Sequence, residues 1–366
     1  IKNTFNIPVE TFSFMTDSYC SDGQALVEKS LMPGLLDLAG SDIQYGAGRL
    51  GGALVLISVL LCAAAERSLA ASLQPIERFG PNPGQLNMYV YVPDGLQPDS
   101  TLVVALHGCT QKAADFDDET GLTEFADALK FVLLFPEQRQ GNNGKRCFNW
   151  FQTQDNRKDR GESGSIRSMI QQVIDTRQVD PSRIFVVGLS AGGSMTAVLM
   201  ANYPELFRGG AIVAGTPYDC NNPSFLTWAP WWFLDVWFGD AAAASYACGL
   251  FNYAPTQRSA QAWGDFVRAA AGVTPARWPQ VSLWQGAADS IVNPVNQREL
   301  VKQWTNVFGI DQIPDRVDVV NNIRHSVYQD PGGYPRLETY EIADFDHAMA
   351  IDPGSAPGQC GSAAPY

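Results

Sequence analysis

Apolar and polar positions follow two patterns along this chain, short apolar runs and helical spacing. These patterns predict strands interleaved with helices. Short runs rich in Val, Ile, Leu and Phe predict strands at 86–92, 102–106, 131–135, 184–187, 211–214, 281–284 and 336–342. Composition and spacing predict helices near 122–130, 164–178, 191–203, 257–271 and 294–307. Such alternation is typical of an α/β protein with a mostly parallel central sheet and helices on both faces.

One turn in this pattern predicts a nucleophile. The sequence Gly188-Leu189-Ser190-Ala191-Gly192 lies between an apolar strand and a helical stretch that ends before Pro204. In that setting G-x-S-x-G is typical of a nucleophile elbow, which holds a serine hydroxyl at the carboxyl edge of the sheet of an α/β-hydrolase. The backbone N–H of Ala191 is then available to stabilise an oxyanion. We therefore predict that Ser190 is the catalytic nucleophile.

The chain offers only three histidines as the base, namely His107, His325 and His347. In α/β-hydrolases the acid and then the histidine follow the serine along the chain, which excludes His107. His347 lies in a polar loop after an extended stretch near the C-terminus. We prefer it to His325, whose segment alternates like an exposed strand and for which an ordinary half-buried histidine is the alternative.

The acid should follow a strand and precede a helix between the serine and the histidine. Asp289 fits this requirement, because it follows the apolar strand at 281–284 and a glycine-containing turn and precedes a helix. A buried carboxylate there would hold the imidazole in the correct tautomer. The competitors are Asp265, in a helical run, and Asp311, in a polar connection.

A second oxyanion donor is expected in the turn after an early strand. His107-Gly108-Cys109 directly follows the apolar strand at 102–106. We predict that the N–H of Cys109 is this donor and that His107 is structural. The alternative is an ordinary strand that ends in a glycine turn.

The composition and charge of the chain limit the classes of molecule that it is expected to bind. The formal net charge is −13, and no cluster of Lys and Arg suggests nucleic acid or an anionic membrane. No metal-ligand spacing such as C-x-x-C and no glycine-rich phosphate loop is present, so we expect neither a metal nor another cofactor. We expect a monomer without a stable membrane anchor, whose partner is an ester substrate.

The N-terminal part predicts export. Residues 53–65 form an uncharged apolar run that suits the core of a signal peptide, and Ser68-Leu69-Ala70 supplies small residues at a cleavage spacing. We assign 49–70 to a signal peptide, 71–366 to the catalytic domain, and 1–48 to a doubtful upstream segment. The alternative for the run is a buried apolar helix.

Several motifs together resemble a known family, the secreted short-chain-length polyhydroxyalkanoate depolymerases, whose esterase group also includes feruloyl and acetylxylan esterases. The motifs are His107-Gly108-Cys109-Thr110-Gln111, Phe135-Pro136-Glu137-Gln138, Cys147-Phe148-Asn149-Trp150-Phe151, the elbow, and His347-Ala348 with Gln359-Cys360-Gly361. The resemblance implies hydrolysis of poly(3-hydroxybutyrate)-type polyesters by Ser190, Asp289 and His347 through an acyl-enzyme. A feruloyl or acetylxylan esterase is the first alternative, and a non-catalytic polymer-binding protein is the remote one.

The family and the expected secretion also imply two disulfides. Cys109 and Cys147 lie in family motifs, and we expect them to tie the oxyanion turn to the segment that contains Trp150. Cys220 is expected to pair with Cys248. The alternative for the first pair is two small buried thiols, and Cys360 falls outside both pairs.

Substrate contacts are predicted at two places. Trp150 and Phe151 are expected to line the acyl groove, with core aromatics as the alternative. Residues 225–238, which include Trp231 and Trp232, are unusually aromatic. We expect this segment to be a lid or a polymer-adsorbing surface, with ordinary core packing as the alternative.

The chain departs from the family just before the base. The family usually has Gly-Met-Gly there, whereas Asp344-Phe345-Asp346 precede His347 in this chain. The extra carboxylate next to the histidine either stabilises an imidazolium or points to solvent.

Overall fold

A ten-stranded sheet carries the fold of the computed structural model, which describes residues 73–222, 243–251, 253–351 and 360–362. The strands are β1 (Gln74–Pro75), β2 (Asn87–Tyr91), β3 (Ser100–Leu106), β4 (Val132–Glu137), β5 (Val179–Leu189), β6 (Gly209–Val213), β7 (Gln280–Gly286), β8 (Arg316–Val320), β9 (Ile323–Gln329) and β10 (Pro335–Ile342). The helices are α1 (Ala113–Thr120), α2 (Leu122–Leu129), α3 (Gly161–Arg177), α4 (Ala191–Asn202), α5 (Ala260–Ala271) and α6 (Val295–Phe308).

The strand order determines where the loops meet. Across the sheet the order is β1-β2-β4-β3-β5-β6-β7-β10-β9-β8. The six strands from β4 to β10 run parallel, whereas β1 and β2 on one side and β9 and β8 on the other pair antiparallel. The carboxyl ends of β3, β5, β7 and β10 therefore lie at one edge, where open α/β sheets usually bind ligands.

Both faces of the sheet are buried, and the alternation of side chains explains how. On β3, Leu102, Val104 and Leu106 face the larger core cluster, which also contains residues of α3, α4, α5 and α6. The intervening Val103 and Ala105 face the smaller cluster, which contains residues of α1 and α2. A strand buried on both faces needs a continuous apolar run, and β3 has one. The predicted mostly parallel sheet with helices on both faces is thus confirmed.

The predicted strands and helices all occur, with boundaries shifted by a few residues. The sequence pattern missed three elements, one of which is the two-residue strand β1. Helix α1 escaped because four of its eight residues are acidic, and strand β8 escaped because it is an edge strand that buries almost nothing. The alternating segment around His325 is strand β9.

Several predictions lie outside the described residues. These are the upstream segment 1–48, the signal peptide 49–70, and the aromatic segment 225–238 with Trp231 and Trp232. Within the described ranges, none of the helices is both long enough and apolar enough to cross a membrane.

Candidate active site

Ser190 occupies a strained turn between β5 and α4. Its backbone has φ 58° and ψ −117°, a conformation that non-glycine residues rarely adopt. A hydrogen bond to the neighbouring strand fixes the turn: the N–H of Ser190 donates to the carbonyl of Val213 at the end of β6, at 2.9 Å. A side chain at Gly188 would lie 2.9 Å from the nitrogen of Gly193, so only glycine fits. The sequence thus folds locally as the predicted elbow.

The predicted oxyanion donors lie beside this turn. A Cβ atom built on Gly108 would lie 3.6 Å from Cβ of Ser190, which places the His107–Thr110 turn directly against the serine. The N–H of Gly108 donates a hydrogen bond to Gln111 Oε1, and the N–H of Thr110 donates one to the carbonyl of Lys145. In the described part of the chain, the N–H groups of Cys109 and Ala191 have no acceptor.

Two groups hold the oxyanion turn in place. The predicted disulfide joins Cys109 to Cys147. His107 is buried, and its Nε2 accepts the N–H of Gln138 at 3.0 Å, so the ring proton is on Nδ1 and is donated to the carbonyl of Gly108 at 2.7 Å. Burial lowers the pKa of His107, which favours the neutral ring that these bonds require. His107 is therefore structural, as predicted.

Asp289 and His347 are in direct contact. His347 Nδ1 lies 2.9 Å from Asp289 Oδ2, and both side chains are buried. The same carboxylate accepts Gln285 Nε2 at 2.8 Å and the N–H groups of Ile291 and Val292 at 2.9 and 2.8 Å. Because every partner of Asp289 donates, the carboxylate is oriented as an acceptor, and Nδ1 of His347 carries the proton in this contact. Nε2 is then the ring atom that can act as a base.

Asp346 has a role that the sequence did not suggest. Its Oδ1 accepts the N–H of Ser290 at 2.9 Å, the hydroxyl of Ser290 at 3.1 Å, and the N–H of His347 at 2.9 Å. These bonds, above all the one from the Ser290 backbone, hold the pKa of Asp346 below its usual value. The residue is exposed, and its carboxylate ties the loop of Asp289 to the loop of His347. The charge of His347 also contributes to the lowered pKa of Asp346.

Backbone hydrogen bonds join adjacent strand ends at the carboxyl edge of the sheet. The N–H of Ala214, after β6, donates to the carbonyl of Trp284 on β7, and the N–H of Ala287 donates to the carbonyl of Ile342 on β10. Topology and these bonds bring Ser190, Asp289 and His347 to one edge. Asp289 and His347 are in direct contact, and the approach of the ring to the Ser190 hydroxyl is part of the proposed function.

The competing residues lie elsewhere. His325 is on β9, where its Nε2 is bonded to Glu338 at 2.9 Å. Asp265 is on α5 and pairs with Arg268, and Asp311 accepts a backbone N–H in an exposed turn. None of them follows a parallel strand at the edge where Ser190 lies.

Trp150 and Phe151 are buried, with 7% of the surface of each residue exposed. Their rings pack edge to face at 5.4 Å within the larger core cluster. This packing is consistent with the core alternative, and the groove-lining role of both rings stays a prediction. A buried acid that the sequence did not indicate also holds this segment.

That acid is Glu162, at the start of α3. Its side chain accepts the N–H of Asn149 at 2.7 Å and a hydrogen bond from Gln138 Nε2. Burial, with the nearby Asp155, raises the pKa of Glu162 to about 8. Since the N–H of Gln138 also bonds His107, Glu162 joins the oxyanion turn to the Trp150 segment. Nothing in the local sequence distinguishes it from the acids common in the first turns of helices.

The second predicted disulfide, Cys220 to Cys248, is also formed, and Cys360 is buried in the smaller core cluster. In the ranges that the structure describes, no group of three or more His, Cys, Asp or Glu side chains could hold a metal ion.

Comparison with known proteins agrees with this geometry. A family model described as Esterase PHB depolymerase matches residues 86–222. A poly(3-hydroxyalkanoate) depolymerase C from Paucimonas lemoignei is 37% identical over 313 residues, which cover 85% of this chain and 70% of the relative. A feruloyl esterase B from Thermothelomyces thermophilus is 33% identical over 250 residues, which cover 68% of this chain and 79% of the relative.

Among solved structures, an acetyl xylan esterase from Aspergillus awamori matches with a TM-score of 0.64. The match covers 76% of this chain and 95% of that chain at 24% identity, and it is a likeness of fold. Together with the sheet order, it identifies the fold as an α/β-hydrolase.

Proposed function

We propose that the chain, which belongs to the PHB depolymerase family of esterases and is a carboxylic-ester hydrolase, acts on a poly(3-hydroxybutyrate)-type polyester. The observation that carries the proposal is the buried Asp289–His347 pair at the sheet edge where the elbow holds Ser190. A relative named a poly(3-hydroxyalkanoate) depolymerase favours the polyester as the substrate. Among the relatives compared above, its match covers the largest part of this chain.

The proposed mechanism is acyl transfer. Ser190 attacks the ester carbonyl while Nε2 of His347 takes its proton, and Asp289 holds the ring in the required tautomer. The N–H groups of Ala191 and Cys109 bind the oxyanion, a contribution of roughly 3–4 kcal/mol for each donor. His347 then gives the proton to the leaving alcohol, and water repeats the sequence on the acyl-enzyme. Side chains and backbone carry all of these steps.

We also propose that the enzyme is secreted and acts as a monomer. Two disulfides lie within the described residues, and disulfides persist mainly in oxidising compartments. The apolar run in 49–70 supports the same conclusion from the sequence. A solid polymer that lies outside the cell cannot enter it, so hydrolysis of such a polymer requires export.

A second candidate function is hydrolysis of feruloyl or acetyl esters of plant cell walls. The relative that favours it is the feruloyl esterase B, at 33% identity. Both candidates use the same triad and differ in the groove that binds the acyl chain.

One experiment tests both the chemistry and the substrate. The purified enzyme is incubated with poly(3-hydroxybutyrate), feruloylated xylan and acetylated xylan, and released hydroxybutyrate oligomers, ferulate and acetate are measured. We expect oligomers from the polyester and loss of all hydrolysis in Ser190→Ala. The matched control is Ser168→Ala on α3, whose hydroxyl only bonds a helix carbonyl. Ferulate or acetate without oligomers would favour the second candidate, and full activity in Ser190→Ala would refute the mechanism.

A further inference from the structure

Three large aromatic side chains are exposed together beside the active-site edge. Tyr246, Phe251 and Tyr253 have 51%, 58% and 49% of their surface exposed, and the rings of Tyr246 and Tyr253 lie 5.4 Å apart. Single exposed apolar residues are ordinary, whereas clusters of them mark interaction surfaces. We refer to these three residues as the aromatic patch.

The segment that carries the patch is firmly held. The Cys220–Cys248 disulfide ties it to the loop after β6, and Asn296 Nδ2 donates to the carbonyl of Cys248 at 3.0 Å. Asn293 Nδ2 donates to the carbonyl of Tyr253 at 3.0 Å. The exposed rings are therefore presented on a fixed support, so that little conformational freedom is lost when they bind.

The backbone of Phe251 adds a second observation. Its φ is +52°, in the left-handed region that bulky residues avoid. This backbone strain is not offset by burial of the Phe251 ring, because the ring remains exposed to solvent. A strained backbone that presents an exposed ring points to a role at the surface rather than in the core.

The patch is linked to the acid of the active site. Leu250 pairs with Val292 in a β-bridge, and the N–H of Phe251 donates to the carbonyl of Ile291 at 2.7 Å. Ile291 and Val292 are the residues whose N–H groups bind the Asp289 carboxylate. A surface held by the patch would therefore lie next to the loop that supports the triad.

The charge of the region fits a neutral partner. The chain carries a net charge of −13, yet residues 241–257 contain no charged residue. A polyester offers methyl and methylene groups and ester carbonyls but no charge. Tyrosine and phenylalanine match this chemistry, with apolar faces for the chain and phenol hydroxyls for the carbonyls.

We propose that the aromatic patch adsorbs the solid, uncharged polyester and holds its surface beside the active site. This inference rests on the proposed function, because it assumes a polymeric substrate. It makes the patch an interaction surface separate from the residues that carry out the hydrolysis.

The test measures adsorption in the absence of hydrolysis. Ser190→Ala protein is mixed with poly(3-hydroxybutyrate) granules, and the bound fraction is compared with that of the same protein carrying Tyr246→Ser, Phe251→Asn and Tyr253→Ser. Asn is chosen at position 251 because it tolerates the left-handed backbone. We expect the adsorption constant to fall at least about tenfold. The melting temperature and disulfide mapping report on folding, and the single variant Phe251→Asn is used if the triple variant does not fold.

The matched control removes apolar surface elsewhere. Val273, Ile313 and Val319 are 77%, 75% and 66% exposed, and their combined replacement by serine is expected to leave adsorption within twofold of the parent, since exposed apolar residues outside a patch add little. Adsorption of the aromatic variant within twofold of the parent would overturn the inference. Equal losses in the aromatic and control variants would overturn it as well.

A soluble ester separates this inference from the proposed function. In the active background, the patch substitutions are expected to reduce kcat/KM for p-nitrophenyl butyrate less than they reduce adsorption, because a small ester does not span the patch. Equal reductions would mean that the patch supports the catalytic loop, which overturns the inference. Failure of the proposed function is a different result, namely no oligomer release by the unmodified enzyme.

Discussion

Replacing Gly192 with alanine tests how the elbow and the oxyanion turn fit together. Gly192 lies in the first turn of α4, where helix propensity alone favours alanine by about 1 kcal/mol. The tertiary structure opposes the change. A Cβ atom at this position would lie 2.6 Å from the carbonyl carbon of Leu106, 2.7 Å from the carbonyl oxygen of His107, and closer still to the oxygen of Leu106.

The size of the clash determines the expected effect. Ordinary contact begins at 3.4 Å, and the obstructing atoms are backbone. Relieving the contact with the carbonyl carbon of Leu106 alone requires a separation of about 0.8 Å, and the oxygen of Leu106 requires more. Cys109 follows His107 by two residues and moves with it. Misplacing one oxyanion donor costs about 3–4 kcal/mol of transition-state binding, or roughly a hundredfold to a thousandfold in kcat. This loss exceeds the gain of about 1 kcal/mol from helix propensity.

The assay compares Gly192→Ala with Gly141→Ala, a control at which a Cβ atom would meet nothing within 4 Å. Hydrolysis of p-nitrophenyl butyrate gives kcat and KM, and urea unfolding gives the free energy of unfolding. We expect kcat to fall about a hundredfold in Gly192→Ala, with a much smaller change in KM, because the donor acts mainly on the transition state. The control is expected to match the unmodified enzyme.

A Gly192→Ala enzyme whose kcat stays within threefold of the unmodified value would refute the expected displacement of the oxyanion donor. The turn would then have yielded without moving the donor. A rise in KM with an unchanged kcat would also refute this expectation, because the substitution would then weaken substrate binding rather than oxyanion stabilisation.

Three further predictions follow from contacts around the site. Replacing Cys109 and Cys147 with serine is expected to lower the free energy of unfolding by about 3 kcal/mol and kcat at least about tenfold, because the oxyanion turn loses its tie; urea unfolding and ester hydrolysis measure this, and unchanged kcat would contradict it. Asp346→Asn is expected to lower kcat/KM roughly tenfold, by loosening the two triad loops, and to do so evenly between about pH 5 and 9, since its lowered pKa keeps the carboxylate ionised there; a pH profile of both enzymes decides. Because the pKa of Glu162 is raised to about 8 in the folded protein, its contribution to stability is present below its ordinary value and is lost as the pH rises through about 8. Unfolding measured at several pH values should show a fall on the order of 5 kcal/mol that Glu162→Gln removes, and equal slopes in the two proteins would count against it.

Local sequence patterns determined the order of elements and the positions of the candidate triad. The apolar strand before Gly188 and the helical stretch after it predicted the elbow, because turn chemistry and hydrophobic periodicity act over a few residues. Chain order then separated His347 from His107, and the strand–turn–helix setting separated Asp289 from Asp265. These predictions needed no distance between remote residues.

Tertiary structure decided what depends on remote contacts. Asp346 looked like a spare carboxylate, and its bonds to the Ser290 loop exist only because β10 lies beside β7. Glu162 looked like an ordinary acid near a helix start, and only its burial against Gln138 and Asn149 raises its pKa. The packing of Trp150 against Phe151 within the larger core cluster is likewise a property of the tertiary structure. Local propensities predict elements, whereas burial and partners are set by packing between elements far apart in the chain.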